Sequence, residues 1–169
     1  MSSHIAAALL SLAVAAGGVG QSTYMPKYGV TVKANKRVDF SKLKRYTWLP
    51  PHVQPLPDVE KQVTAAVDRA MTEIGFTKVA SDDQADVVIE YLSMLRTDAD
   101  VRSKRLRLTN GAFREYRVAT LMVSMFNPQT LEPYLRLRSD TVLREREASE
   151  VIDQVVGEMF QQYPGRQKK

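Results

Sequence analysis

The chain has 169 residues and no cysteine, and its only histidines are His4 and His52. Without a thiol there can be no disulfide, no thiolate zinc or iron–sulfur ligation and no cysteine nucleophile in any compartment. A histidine-built metal site or catalytic triad would have to rest on one imidazole, because His4 falls in a segment with leader character. The patterns GxxxxGK followed by Ser or Thr, GxGxxG, GxSxG and HExxH are also missing. With them go the signatures of nucleotide hydrolysis, dinucleotide binding, the serine-hydrolase elbow and the zinc-protease helix. The expectation is a protein without catalytic residues, metal ligands or cofactor; an enzyme whose site has no recognisable signature is the alternative.

Charge is absent from the first 25 residues, where Ile5 to Ala16 form a 12-residue apolar run followed by Gly17-Gly18-Val19-Gly20. That run has the length of a secretory hydrophobic region and is too short to span a bilayer. Ala13-Val14-Ala15, followed by Ala16 and the glycines, offers small-residue cleavage sites, although no Lys or Arg precedes the run. Residues 1–22 therefore read as a signal peptide or hydrophobic leader, residues 23–165 as a single domain, and residues 166–169 as a basic tail. The mature chain, expected in the periplasm or cell envelope, has no later segment apolar enough to cross a membrane.

What remains is ordinary globular material, 44% apolar and 25% charged, with 8 Gly and 8 Pro, which argues against disorder and against collagen-like sequence. The net charge of +5 is unevenly spread: residues 27–45 carry seven basic side chains against one acidic, residues 46–95 carry three against eight, and residues 96–117 carry seven against three. Salt screens such charges over about 8 Å, so only a local cluster could attract a polyanion.

Hydrophobic periodicity orders the elements. Tyr28, Val30 and Val32 alternate with polar residues, and Arg45 to Leu49 is aromatic and β-branched, so both segments read as strands. The Pro-rich stretch from Pro50 to Pro57, which includes His52, reads as a stiff connection. Asp58 is a plausible cap for a helix carrying Val59, Val63, Ala66, Val67, Ala70 and Ile74, stopped by Gly75. Phe76 to Val79 suits a short strand, and Val87 to Leu92, apolar on both faces apart from Glu90, an interior one. Residues 97–111 read as a polar connection. Ala112 to Phe126 and Tyr134 to Glu145 read as an antiparallel hairpin, and Val151 to Phe160 as a second amphipathic helix. The fold class expected is α+β, a mainly antiparallel sheet with two amphipathic helices packed on one face.

Val38-Asp39-Phe40-Ser41-Lys42-Leu43-Lys44-Arg45-Tyr46-Thr47-Trp48, the helix ending Ile74-Gly75-Phe76 and the run Ala85 to Tyr91 together resemble bacterial domain-of-unknown-function family 4136 over roughly residues 30–165. The resemblance implies an exported envelope protein and no particular activity. Members are often lipoproteins, which need a Cys after the signal peptide; this chain has none and is expected not to be a Cys-anchored lipoprotein. It also departs from the family at the hairpin, with Ala119-Thr120 and Leu135-Arg136 where such proteins commonly have a Gly and a Trp-Arg pair. The family supplies no catalytic residues. Physically, Phe40, Leu43, Tyr46 and Trp48 suit a compact turn packed under the first helix, with Asp39 or Ser41 satisfying its backbone donors; the other use of Tyr46 and Trp48 would be as a stacking platform.

Acidic pairs at Asp82/Asp83, Asp98/Asp100 and Glu145/Glu147 lack the facing geometry that two-carboxylate catalysis needs and read as surface charge. The basic residues are more informative. If the hairpin pairs Leu137 with Val123 and Leu135 with Met125, then Arg114, Tyr116, Arg136, Arg138, Arg144 and Arg146 share the sheet face away from the helices. This is the candidate surface for an anionic envelope component or an acidic protein, with Arg102, Lys104, Arg105 and Arg107 as a secondary basic cluster. Nucleic acid is disfavoured, because export would remove it; a cytoplasmic polyanion or nucleic-acid binder is the alternative if the leader is not a signal peptide.

Overall fold

The structure, a computed structural model, describes residues 28–50, 57–99, 115–143 and 147–166. Residues 1–27 lie outside this set, so the leader does too, as does His52. Six strands form one sheet in the order β1-β6-β5-β4-β2-β3. They are β1 (Thr31–Ala34), β2 (Arg45–Trp48), β3 (Thr77–Lys78), β4 (Val87–Ala99), β5 (Glu115–Phe126) and β6 (Pro133–Val142). The helices are α1 (Pro57–Glu73) and α2 (Ile152–Gln161), the latter entered through a 3-10 turn at Ala148–Val151.

The α+β class is as expected, but the sheet is mixed. β2 runs parallel to both β3 and β4, while β4, β5, β6 and β1 pair antiparallel in succession. The parallel pairing follows from connectivity: β2, α1, β3 and β4 are joined by a helical crossover, which returns the chain in the same direction. The hairpin register is the one the apolar pattern demands, Val123 opposite Leu137 and Met125 opposite Leu135. A shift of one residue would have turned these side chains to the other face.

Odd-numbered positions of β4, β5 and β6 face the helices. Val87, Ile89, Val123, Met125, Leu135 and Leu137 are buried there against Val63, Val67 and Met71 of α1 and Val156, Met159 and Phe160 of α2. Gly75 closes α1 with φ of +90°, a conformation that costs a side chain strain. Phe40 meets Tyr163, just beyond α2, edge to face at 5.7 Å, and the Tyr163 hydroxyl donates to the Phe40 carbonyl at 3.1 Å. This ties the turn before β2 to the end of the chain's last helix.

Two differences from the sequence reading concern β4. The strand continues to Ala99, through residues 97–99 that read as connection, because each of them finds a partner on β5, from Thr97 opposite Arg117 to Ala99 opposite Glu115. It is also interior only at its start, since β2 pairs with Val87 to Ile89 and no further.

Candidate functional site

The sheet face away from the helices carries part of the predicted cationic surface. Tyr116, Arg136 and Arg138 stand on it; Arg114, Arg144 and Arg146, and the secondary cluster Arg102, Lys104, Arg105 and Arg107, lie outside the described residues. Arg138 is engaged: it donates to both carboxylate oxygens of Asp140, at 2.9 and 3.0 Å. Asp140 also accepts from the Thr120 hydroxyl at 2.6 Å and from Arg96 at 3.2 Å, and Arg96 reaches Asp98 at 3.1 Å. The Arg138 bond foremost, opposed by partial burial and then helped by Thr120 and Arg96, pulls the Asp140 carboxyl down to about 2. Two guanidinium groups thus face two carboxylates, and the network is locally neutral. Arg136 has no ion pair with a described residue and stands beside Lys33 of β1. Local pattern did not reveal this network, because Thr120 and Arg96 lie 20 and 44 residues from Asp140, on other strands.

The opposite side holds a groove of about 850 Å³. Val59 and Val63 of α1 form one wall, and Ala148, Ile152 and Val155 form the other. Tyr91, Leu95, Ala119 and Leu121 make the floor, where the sheet extends past the ends of both helices. The volume and apolar lining are those of a small-molecule site. Polar side chains share the lining, Thr64, Ser93 and Thr141 among them. Arg117 donates to Glu147 at 3.3 and 3.5 Å, a loose and partly exposed pair. The Tyr91 hydroxyl is buried without a hydrogen-bond partner among the described residues. Burial, with the Glu60 charge as a second cause, raises its pKa.

At one end of the groove, Asp68 of α1 gathers three donors: the Tyr46 hydroxyl at 2.7 Å, Trp48 Nε1 at 2.9 Å and Lys78 Nζ at 2.9 Å. Burial opposes its ionisation, but these three bonds outweigh it and hold the Asp68 pKa below the usual carboxylate range. Tyr46 is 1% exposed, so it cannot be a stacking platform. Trp48 meets Tyr91 edge to face at 6.1 Å.

The profile of a domain of unknown function, DUF4136, matches residues 30–165. The chain belongs to this family. A DUF4136 protein from Bacteroides thetaiotaomicron has the same fold at 14% identity and a TM-score of 0.53, over 84% of this chain and 98% of that one. The PelC dodecamer from Paraburkholderia phytofirmans aligns at 10% identity and 0.52, over 83% and 98%. A PDZ domain protein from Parabacteroides distasonis aligns at 12% and 0.61, over 83% of this chain, which spans only 36% of that protein's length. No curated protein matches by sequence.

Within this DUF4136 chain, the family block is explained by packing. Asp39 accepts from the Ser41 backbone at 3.2 Å and from its hydroxyl at 2.6 Å, closing the turn. Phe40 and Tyr46 enter the core, and Asp86, at the start of the third family segment, accepts from Lys44 N and Arg45 N at 2.9 Å each. Sequence reading missed Asp68 and Arg117 as organising residues. Arg117 had a visible signal, since it shares the alternation of Ala119, Leu121 and Val123. Asp68 had none, because its partners are fixed only when α1 lies across β2 and β3.

Proposed function

We propose that the protein is an exported, non-catalytic binding module of the bacterial cell envelope whose guest is a single-chain anionic amphiphile held in the helix-side groove. The groove carries this reading: a mostly apolar floor and walls for an aliphatic chain, with Arg117 to receive a carboxylate or phosphate in place of Glu147. The apolar run Ile5 to Ala16 supports export. No helix among the described residues is long and apolar enough to cross a membrane. The locally neutral network on the other sheet face leaves less for an anionic partner there, with Arg136 and Lys33 the candidates among the described residues.

The test is titration with a fluorescent long-chain fatty acid and with the alcohol of the same chain length. Ala148→Trp, filling the groove from its rim, is expected to weaken both at least tenfold. Arg117→Gln is expected to weaken the acid about tenfold, about 1.4 kcal/mol, and to leave the alcohol unchanged. Absence of binding, or equal binding by wild type and Ala148→Trp, refutes the groove reading. Equal loss for acid and alcohol in Arg117→Gln refutes the role of Arg117.

A further inference from the structure

The turn joining β5 to β6 holds a leucine where the backbone favours glycine. Asn127 donates its N–H to the Glu132 carbonyl and accepts on its own carbonyl from Leu131 N, each at 2.9 Å. Its side-chain oxygen accepts from Gln129 N at 2.8 Å and Thr130 N at 3.0 Å. The network sets Leu131 at φ of +56°, the one positive value among the described non-glycine residues. A Cβ is strained in that left-handed region, which Gly or Asn usually occupies. Burial does not offset the strain, since Leu131 is 54% exposed. Cations stand beside this turn. Asn35 donates its N–H to the Tyr134 carbonyl at 2.8 Å and its side-chain amide to Glu132 at 3.2 Å, so the turn after β1, with Lys36 and Arg37, lies against it. On the adjoining strands Lys33 is directly opposite Arg136. All four cations are exposed, and none has an ion pair with a described residue.

We infer that this end of the sheet docks on an anionic bilayer, with the Leu131 side chain in the headgroup boundary and Lys33, Lys36, Arg37 and Arg136 against the lipid phosphates. Like charges set directly opposite destabilise a strand pair, and the nearby carboxylates do not relieve Lys33 and Arg136. Glu132 is held by Asn35, and Asp39 is held by Ser41 and Lys42. Glu90 shares the sheet face of Arg136 but lies across Ser124, two strands away. The combination of residues selects the partner. A bilayer presents anionic headgroups above hydrocarbon, so it meets cations and a protruding apolar side chain together. A nucleic acid or an acidic protein would satisfy the cations and leave the strained, exposed leucine without a use. The contact is peripheral, and no described helix is long and apolar enough to cross a membrane. None of these residues lines the helix-side groove, so this surface is independent of the proposed guest.

The test is co-sedimentation of the chain, as purified from its host, with vesicles of phosphatidylglycerol and phosphatidylcholine in about equal parts, and with vesicles of phosphatidylcholine alone. Wild type is expected to bind the mixed vesicles, to ignore the neutral ones and to be released by salt. Replacing Lys36→Gln and Arg37→Gln together is expected to weaken binding about 25-fold, about fivefold for each cation. Lys61→Gln, exposed on α1, is expected to change it by no more than about twofold. Leu131→Gly and Leu131→Asn separate the anchor from the fold. Both residues accept the positive φ, so circular dichroism is expected to show folded proteins, while vesicle binding falls about fivefold. Absence of binding, equal binding to neutral vesicles, or full binding by the Lys36/Arg37 double variant overturns the inference. Undiminished binding by both Leu131 variants overturns it as well and makes a soluble polyanion the partner of the cations.

Discussion

Replacing Asp68 tests whether the family block is held by packing against α1, and the structure sets the size of the effect. In Asp68→Ala the Tyr46 hydroxyl, on a residue 1% exposed, loses its acceptor; leaving such a group buried and unpaired costs about 1–3 kcal/mol. Trp48 Nε1 loses the same oxygen, at a smaller cost because Trp48 borders the groove. The Lys78 pair, with side chains 52% and 31% exposed, contributes at most about 1 kcal/mol. The total is about 3 kcal/mol, a fall in Tm of about 6–12 °C for a domain of this size. Asp68→Asn keeps an oxygen for Tyr46 and Trp48 and sacrifices only the charge toward Lys78, so it should cost about 1 kcal/mol. Adding Tyr46→Phe to Asp68→Ala removes the orphaned hydroxyl, and the double variant should be less destabilised than the sum of the singles. Thermal and urea unfolding of wild type, Asp68→Ala, Tyr46→Phe and the double variant provide the cycle, and Asp68→Asn is measured beside them. Equal losses for Ala and Asn, or strict additivity with Tyr46→Phe, would refute this account of the clamp.

Asp140, held at about 2 against an ordinary 3.8, contributes stability that is present above pH of about 4 and is lost as pH falls toward its folded pKa. With its side chain 35% exposed, solvent screening reduces the contribution to the order of 1 kcal/mol. Urea midpoints measured from pH 5 down to 2 should show this acid loss in wild type and a shallower one in Asp140→Asn. Gly165→Ala would set a methyl 2.7 Å from the Phe40 carbonyl oxygen and 2.6 Å from the Tyr163 ring; the backbone cannot yield cheaply, so a loss of about 1–3 kcal/mol is expected in the same assay. For export, fractionation of the native host with intact-mass analysis should yield a shortened chain in the periplasmic or envelope fraction. A full-length chain in the cytosol would contradict the proposed location and return polyanions as candidate partners.

Periodicity carried far in this chain because most elements bury one face. The alternation of Leu135, Leu137, Thr141 and Leu143 admits one hairpin register, since any one-residue slip exposes four core positions. The stripe from Val59 to Ile74 admits one helical face. Absence of cysteine and of nucleotide-binding patterns was equally legible, being a matter of composition. The Asp39-Phe40-Ser41 turn was readable too, because its hydrogen bonds span two residues.

What local pattern could not decide was anything set by pairing across long separations. Parallel pairing of β2 with β4 depends on the path of the crossover, and no residue type encodes strand direction. The cationic stripe read from β6 lost one of its members to an ion-pair network because Arg96, Thr120 and Asp140 meet only when three strands stand side by side. The groove exists because the helices end before the sheet does, and β4 has no described partner on that side beyond Ile89 because β2 is only four residues long. Sequence by itself determined which residues are apolar, where the turns fall and which chemistries are missing. Tertiary structure decided which charges are neutralised and which surfaces stay uncovered, since both depend on element lengths and neighbours that no local window contains.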